Sequence, residues 1–149
     1  MVHLPHMQLP PDYPHTPLLE DYFAIDTAEE RLAWLMERPS QHLQLEANDM
    51  TAEKRIPGCI SGLWLRGDLV AGVCVFNARS ESPMVQGVVA FLCELYSGLT
   101  PAHVTTLIEL LPGQLGLEGL LTTTRKRAVL TTLAFFQDVA TRNMGHPTE

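Results

Sequence analysis

The chain has 149 residues, 46% of them hydrophobic, and a formal net charge of −7 at pH 7, which suits one domain with its own core. This acidic balance, without a dense cluster of Lys and Arg, argues against nucleic acid or an anionic membrane surface as a partner and favours a folded protein. Three cysteines without paired spacing make no disulfide framework. The chain also shows no secretion signal and no apolar run of the roughly twenty residues that span a bilayer. We therefore expect a soluble protein of the reducing cytoplasm.

The first residues predict an extended arm. Prolines at positions 5, 10, 11, 14 and 17 occur with little hydrophobic periodicity, which is typical of chain without packed secondary structure. We therefore divide the protein into a flexible Pro-rich arm over residues 1–19, a single domain over residues 20–144 and a frayed tail over residues 145–149. The arm's His3, His6 and His15 match no metal-ligand spacing, so we expect no metal site there.

The folded part is predicted to begin with a helix. Thr27-Ala28-Glu29-Glu30 is a capping box, in which a hydroxyl and a carboxylate satisfy free amides of the first turn. Apolar residues then fall on one face, and Arg38-Pro39 ends the helix. We also expect a short helix over residues 41–46 and a turn over residues 51–54.

Residues 60–76 have a composition typical of strands and predict an antiparallel hairpin. The apolar segments 63–65 and 73–76 flank a turn signal at Gly67-Asp68. Because both faces of this hairpin are fairly apolar, we expect helices to cover one face and other chain to shield part of the second.

Cap signals predict the remaining helices. Ser82-Pro83 offers an N-cap and a proline at the first helical position, and Gly98 supplies a left-handed residue at the far end. Thr100-Pro101 repeats the signal for a helix that ends at Pro112-Gly113, and hydroxyls at positions 122–124 cap the last helix. Helices before and after a hairpin indicate an α+β fold: a small antiparallel sheet, a hairpin with or without a third strand, packed against helices.

A cysteine at a glycine-flanked turn is the leading candidate for chemistry. In Pro57-Gly58-Cys59-Ile60-Ser61-Gly62 the first glycine permits backbone angles that other residues avoid, and the small neighbours let a reaction partner come close. Residue context leaves two interpretations of Cys59 open. It is either a reactive thiol suited to covalent sulfur chemistry or a small apolar residue at the start of a strand.

The other two cysteines are interpreted as structural. Cys74 lies in mid-strand between two valines, where a cysteine behaves as a small hydrophobe. Cys93 shares a helical stripe with Gln86, Ala90 and Ser97, which is either a close helix contact or a window to solvent. We favour packing, because a thiol in mid-helix is far from the N-terminal amides that would lower its pKa.

Several segments, in chain order, form a series. They are Pro57-Gly58-Cys59-Ile60-Ser61-Gly62-Leu63-Trp64, then Met84-Val85-Gln86-Gly87-Val88-Val89-Ala90, then Tyr96-Ser97-Gly98-Leu99-Thr100-Pro101, and last Leu121-Thr122-Thr123-Thr124-Arg125. In order and spacing this series resembles the SufE family of sulfur-acceptor proteins. The resemblance covers roughly residues 26–140, and its most specific part is the Pro-Gly-Cys-x-Ser-x-x-Trp core.

The resemblance implies a persulfide relay. Sulfane sulfur would move from a cysteine desulfurase of the SufS type, which uses PLP, onto one cysteine and then to an iron–sulfur scaffold. In this sequence the resemblance assigns the sulfur-carrying cysteine to Cys59. It also implies that supporting or partner-interface residues are Gly58, Ile60, Ser61 and Arg125. The chain itself would bind no cofactor or metal and would be a sulfur-transfer accessory protein and desulfurase activator, with a fold similar to the IscU scaffold fold.

Several basic residues are candidates to favour the Cys59 anion. They are Lys54, Arg55, Arg66 and Arg125. Lys126 and Arg127 also crowd the first turns of the last helix, where the dipole disfavours positive charge. We interpret these two as solvated surface residues.

Two other functions are weighed against the relay. An iron–sulfur scaffold, or a non-catalytic binding module of the same fold, would need three or more ligands for a cluster, whereas Cys74 and Cys93 are predicted to lie in the interior. A cysteine hydrolase would need a histidine base within hydrogen-bond reach of Cys59. Outside the arm and tail only His42 and His103 are available.

Overall fold

The computed structural model describes residues 9–59 and 61–144. In chain order its longer elements are α1 (Thr16–Phe23), α2 (Ala28–Glu37), β1 (Leu63–Val70), β2 (Val73–Ser80), α3 (Pro83–Tyr96), α4 (Pro101–Leu115) and α5 (Thr123–Met144). Single 3-10 turns lie at Ala47–Asp49, Ala52–Lys54 and Leu117–Gly119. Within this described part, no helix combines the length and the apolar character needed to cross a bilayer.

Part of the predicted arm packs on the domain. Helix α1 begins at Thr16, and the side chains of Tyr13 and Leu19 are buried. The Tyr13 hydroxyl donates to the carbonyl oxygen of Leu95 at 2.8 Å, so this aromatic side chain buries its ring and satisfies its polar end together. The assignment of residues 9–19 to an extended arm was therefore wrong, whereas residues 1–8 and the predicted tail at 145–149 lie outside the described residues.

Thr27 caps helix α2 as predicted, but only the hydroxyl half of the predicted capping box forms, because the Glu30 carboxylate accepts from the Thr27 hydroxyl and not from a backbone amide. The Thr27 hydroxyl accepts a hydrogen bond from the amide of Glu30 at 3.1 Å and donates to the Glu30 carboxylate at 2.9 Å. The helix ends at Glu37, before Arg38-Pro39.

The short helix predicted over residues 41–46 is absent from the structure. Its residues run extended beside β2, where the His42 carbonyl accepts from the Ala78 amide at 2.9 Å. The Gln44 amide donates to the side-chain oxygen of Asn77 at 3.3 Å. Pairing with the strand edge satisfies backbone groups that a helix would otherwise have satisfied. The predicted turn at 51–54 is present as the 3-10 helix at Ala52–Lys54.

The hairpin forms, but its turn lies four residues later than predicted. Strands β1 and β2 pair antiparallel from Leu63↔Ser80 to Val70↔Val73, and the turn residues Ala71 and Gly72 have φ of 51° and 84°. Positive φ at both central residues is the twist-matched geometry for a two-residue hairpin. Gly67, predicted as part of the turn, is inside β1, and a Cβ there would lie 2.8 Å from Val139 Cγ2 on α5. This glycine therefore permits close helix packing.

The α+β fold class is confirmed. In the described residues the sheet has two strands, and Leu99 adds one isolated bridge to Cys74 in place of a full third strand. Helix α3 begins after the Ser82 cap and is followed by Gly98 with φ of 83°, as predicted. Most of its side chains are buried, so α3 forms the centre of the core.

Helices α4 and α5 complete the layer. Thr100 caps α4 as predicted, but the helix continues through Pro112 and ends only at Gly116, with φ of 67°. Proline there removes one amide from the last turn, and buried Leu111 and Leu115 hold that turn in place. Helix α5 lies against β1, α3 and α4 and so supports one wall of the cleft described next.

Candidate functional site

Cys59 lies on a closed loop between the 3-10 turn at Ala52–Lys54 and strand β1. The Ile56 amide donates to the Leu63 carbonyl at 2.9 Å and closes the base of this loop. Gly58 has φ of 86°, a conformation that favours glycine. The Cys59 side chain is half-buried, so the loop presents the thiol without fully enclosing it.

The thiol lines a cleft with a volume of about 270 Å³. The Cys59 loop forms one wall, the start of α3 forms the second, and the chain entering α5 forms the third. The lining residues are Cys59, Ser61, Val85, Thr122, Thr124, Arg125 and Ala128. Of the residues predicted for the site, the structure thus brings together Cys59, Ser61 and Arg125, with Gly58 adjacent in the loop. Ile60 is outside the described residues.

The local environment acts on the Cys59 thiol in opposing directions. Burial is the largest effect and raises its pKa, because a thiolate loses hydration there. The Thr131 hydroxyl, by hydrogen bonding to the sulfur, lowers the pKa, and so do the positive charges of Arg127 and Arg55. The net pKa is raised, so the resting group is mainly a thiol with thiolate-favouring groups beside it.

The basic candidates divide into two sets. Arg55 favours the Cys59 anion, as predicted. Arg127 also favours the anion, contrary to its interpretation as a solvated surface residue; it is exposed but close enough to act on the sulfur. Lys54 instead donates to the Asn48 carbonyl at 2.9 Å. Arg66 pairs with two carboxylates, those of Asp49 at 3.3 Å and Asp68 at 3.0 Å.

Arg125 reaches the same cleft with an unusual partner. Its Nη1 donates to the thioether sulfur of Met84 at 3.0 Å, in a half-buried position. Among the described residues it makes no ion pair. A guanidinium held by a weak neutral acceptor remains available to an anion that enters the cleft.

Glu81 fastens the far end of the Cys59 loop. Its Oε1 accepts from the Gly62 amide at 2.8 Å, and its own amide donates to the Gly62 carbonyl at 3.0 Å. The same oxygen lies 3.6 Å from Arg55 Nη2. One carboxylate therefore contacts the chain on both sides of Cys59.

The remaining cysteines belong to the core. Cys74 and Cys93 are fully buried, and burial raises the pKa of both thiols. Among the described side chains, no three His, Cys, Asp or Glu groups lie together as metal ligands. Of the histidines in residues 9–59 and 61–144, none lines the cleft, and His42 Nδ1 lies 2.9 Å from the Phe76 carbonyl. The described part of the cleft therefore places neither a group of metal ligands nor a histidine beside Cys59.

A model of the SufE family, described as the Fe-S metabolism associated domain, matches residues 16–140. The chain belongs to the SufE family. This membership places the protein in iron–sulfur metabolism.

Individual SufE-like proteins are moderately similar. An uncharacterised SufE-like protein of Rhizobium meliloti is 26% identical over 105 residues, which are 67% of this chain and 75% of that protein. Another from Rhizobium etli is 27% identical over 94 residues, 60% of this chain and 64% of the relative. A third from Synechocystis is 33% identical over 69 residues, 46% and 42% of the two chains.

A solved structure supports the fold. The solution structure of a hypothetical protein from Thermus thermophilus superposes with a TM-score of 0.64, covering 93% of this chain and all of that one. At 22% identity this likeness concerns architecture alone. The family model thus gives the SufE assignment, and the solved structure supports the α+β architecture.

Sequence reasoning missed Thr131 and the effect of Arg127. Both lie on α5 beyond the matching Leu121–Arg125 motif, four residues apart and therefore on one helix face. Thr124, Ala128 and Thr131 also follow the helical spacing of three and four residues. This stripe of small residues was the signal that could have pointed to a surface facing the cysteine loop.

Proposed function

We propose that this SufE protein is a sulfur acceptor and carrier. It takes sulfane sulfur from a PLP-dependent cysteine desulfurase of the SufS type onto Cys59 and delivers it to an iron–sulfur scaffold. The observation that carries the proposal is the location of Cys59: of the three cysteines, it alone lines the cleft, while Cys74 and Cys93 are fully buried.

The transfer needs only the exchange chemistry of sulfur. The Cys59 thiolate attacks the terminal sulfur of the donor persulfide, a bond forms between these two sulfurs, and the donor S–S bond breaks. The donor cysteine leaves as a thiolate, and Cys59 carries the extra sulfur. No external oxidant or reductant is consumed, because the sulfane sulfur keeps its oxidation state throughout.

The cleft supplies groups suited to both forms of the sulfur. Burial favours the neutral thiol at rest, which protects Cys59 from oxidation, since susceptibility follows thiolate character. Arg55, Arg127 and Thr131 favour the thiolate that must form during attack. Arg125 is placed to meet the anionic persulfide of an incoming donor.

The protein would act as an accessory to the desulfurase, with its cysteine returning to the thiol after each delivery. Its three free cysteines fit a reducing compartment, and we place it in the cytoplasm. Its formal charge of −7 fits recognition by a folded protein partner with complementary basic surface.

Stimulation of the desulfurase tests the proposal. Alanine release from cysteine by a SufS-type enzyme should rise when the wild-type protein is added, because Cys59 removes the enzyme's persulfide. Cys59→Ser should give no stimulation while retaining the circular dichroism of the wild type. Wild-type protein alkylated at its single accessible thiol is the matched control and should also be inactive. Stimulation by Cys59→Ser equal to that of the wild type would refute the assignment.

A further inference from the structure

Arg125 is a half-buried cation without a carboxylate partner among the described residues. Arg38, which is also half-buried, pairs with Glu94 at 2.7 Å. Arg125 Nη1 instead donates to the sulfur of Met84 at 3.0 Å. A thioether is a weak, neutral acceptor, so this contact directs the guanidinium without reducing its charge. Because a charge withdrawn from water normally acquires a counterion, the exception points to a role in the cleft.

Met84 has a fixed position from which to hold that guanidinium. It lies in the first turn of α3, just after the Ser82 cap, and its half-buried side chain packs against the hydrophobic core. The next residue, Val85, lines the cleft, and so does Arg125 on α5. The contact between Met84 and Arg125 therefore joins the start of α3 to the start of α5, which form two walls of the cleft.

The positive charges near Cys59 act in different places. Arg55 and Arg127 lower the pKa of the thiol, and the carboxylate of Glu81 lies 3.6 Å from Arg55 and offsets part of its charge. Arg125 lines the cleft of about 270 Å³ that Cys59 also lines. A cleft of this volume admits a small group beside the thiol. The uncompensated charge of Arg125 then attracts an anionic group more strongly than a neutral one.

Other partners for Arg125 would serve an entering anion less well. A carboxylate would form a charge-assisted, bidentate pair with the guanidinium and cancel its charge. Without any acceptor, the long side chain would be free to turn towards water, and ordering it again would cost conformational entropy. The thioether of Met84 avoids both, because it orders the side chain and leaves the charge in place.

We propose that Met84 is a positioning residue: its thioether holds the Arg125 guanidinium on the cleft wall with its charge uncompensated, so that the cleft selects partners that bring an anion to Cys59. The persulfide anion of a donor protein is such a partner, and to that extent the inference rests on the proposed carrier function. The preference for an anion is a property of the cleft itself. It can therefore be measured with small anionic and neutral reagents.

Three substitutions of Met84 separate holding from packing. Met84→Leu removes the acceptor and nearly keeps the volume, a change that hydrophobic cores tolerate at small cost. Met84→Gln keeps an unbranched chain and offers a neutral carbonyl oxygen. Met84→Glu offers a carboxylate that pairs with Arg125 and cancels its charge. Arg125→Ala gives the value expected without the cation.

Two control variants match these changes elsewhere in the chain. Met50→Leu makes the same substitution at another half-buried methionine, whose sulfur accepts no hydrogen bond from the described residues. Lys126→Ala removes the half-buried cation that follows Arg125 and is not among the described residues of the cleft lining. Neither change alters the contact between Met84 and Arg125.

The assay compares two alkylating reagents on the full-length protein. Iodoacetate and iodoacetamide react in the same way, since the Cys59 thiolate attacks the methylene carbon and iodide leaves. The thiolate fraction and the exposure of the sulfur affect both rates alike. The ratio of the iodoacetate rate to the iodoacetamide rate therefore reports the preference for an anion. Mass spectrometry of the Cys59 peptide measures each rate, and no desulfurase is needed.

Arg125→Ala should lower this ratio about three- to tenfold at about 0.1 M salt, because one charge beside the bound anion is lost. Met84→Glu should lower it as much. Met84→Leu should lower it about two- to fourfold, because the unheld guanidinium spends less time at the cleft wall. Met84→Gln, Met50→Leu and Lys126→Ala should stay within about 1.5-fold of wild type, and about 1 M salt should bring the wild-type ratio towards that of Arg125→Ala.

A ratio for Met84→Leu equal to that of wild type would overturn the inference, and so would an unchanged ratio for Arg125→Ala. Equal losses in Met84→Leu and Met84→Gln would also overturn it, because Met84 would then act through packing and not as an acceptor.

These outcomes are distinct from those of the carrier test. If a desulfurase loads Cys59 while the ratios of all variants stay equal, the carrier function stands and the role of Met84 fails. If the ratios change as expected but no desulfurase loads Cys59, the role of Met84 stands and the carrier function fails.

Discussion

Removing the ring of Phe136 should weaken the whole domain, because this ring anchors α5. Phe136 is fully buried, stacks on Phe76 with 4.1 Å between ring centroids, and lies 5.4 Å from the ring of Tyr96. It therefore joins α5 to both β2 and α3. Truncation of a buried Phe to Ala costs about 3–5 kcal/mol, which is a large part of the roughly 5–15 kcal/mol that stabilises an ordinary domain.

The neighbouring Phe135 provides a matched control on the same helix. It is only half-buried, so Phe135→Ala should cost about 1 kcal/mol, near the centre of the usual range. Urea unfolding followed by tryptophan fluorescence measures both free energies. At about 2–4 °C per kcal/mol for a chain of this size, Phe136→Ala should also melt at least about 6 °C below wild type. If the two variants lost stability within about 1 kcal/mol of each other, the proposed anchoring of α5 would be refuted.

Two further predictions concern charge and pH. Arg125→Ala should slow sulfur transfer from a desulfurase more than Lys126→Ala, because Arg125 lines the cleft and Lys126 does not; equal rates for the two variants would remove the special role of Arg125. Burial raises the pKa of the Cys74 and Cys93 thiols above the ordinary 9.0. Because the unfolded chain ionises these thiols at lower pH than the folded protein does, their contribution to stability is complete below pH 9.0 and is lost as the pH rises towards the folded-state values. The urea midpoint should therefore fall between about pH 8 and about pH 10.5, less so in Cys93→Val, and a midpoint that held steady or rose would contradict this linkage.

The sequence predicted the helix starts well because caps are local. The side chains of Thr27, Ser82 and Thr100 each accept from a backbone amide three residues later, a geometry that needs no distant contact. The hairpin turn failed for the opposite reason. Gly67 lies inside β1, where any side chain would collide with Val139 on α5. The turn itself uses Ala71 at positive φ, which is uncommon for a residue with a side chain.

Other errors also came from tertiary packing. Pro112 was interpreted as a helix end, yet buried leucines carry α4 one turn further. The segment at 41–46 looked helical in isolation, but the free edge of β2 offered its backbone better partners. Tyr13 was assigned to the arm because neighbouring prolines dominated the pattern, and its burial depends on an acceptor at Leu95 that local sequence cannot reveal.

In the candidate site, too, features that depend on neighbouring residues could be predicted, and features that depend on tertiary packing could not. The Cys59 turn and Arg125 could be found from short motifs, because each depends on residues adjacent in the chain. Thr131 and Arg127 act on the thiol only after α5 has docked beside the loop. Their contribution follows from the packing of two segments far apart in sequence.

Mapping the acceptor sulfur by mass spectrometry tests the central claim most directly. The protein is incubated with a SufS-type desulfurase and cysteine labelled in its sulfur, trapped with an alkylating reagent, and digested. The account predicts one additional labelled sulfur on the peptide that contains Cys59, and none after Cys59→Ser. Label on the Cys74 or Cys93 peptide, or unlabelled Cys59 in a reaction that stimulates the desulfurase, would contradict it.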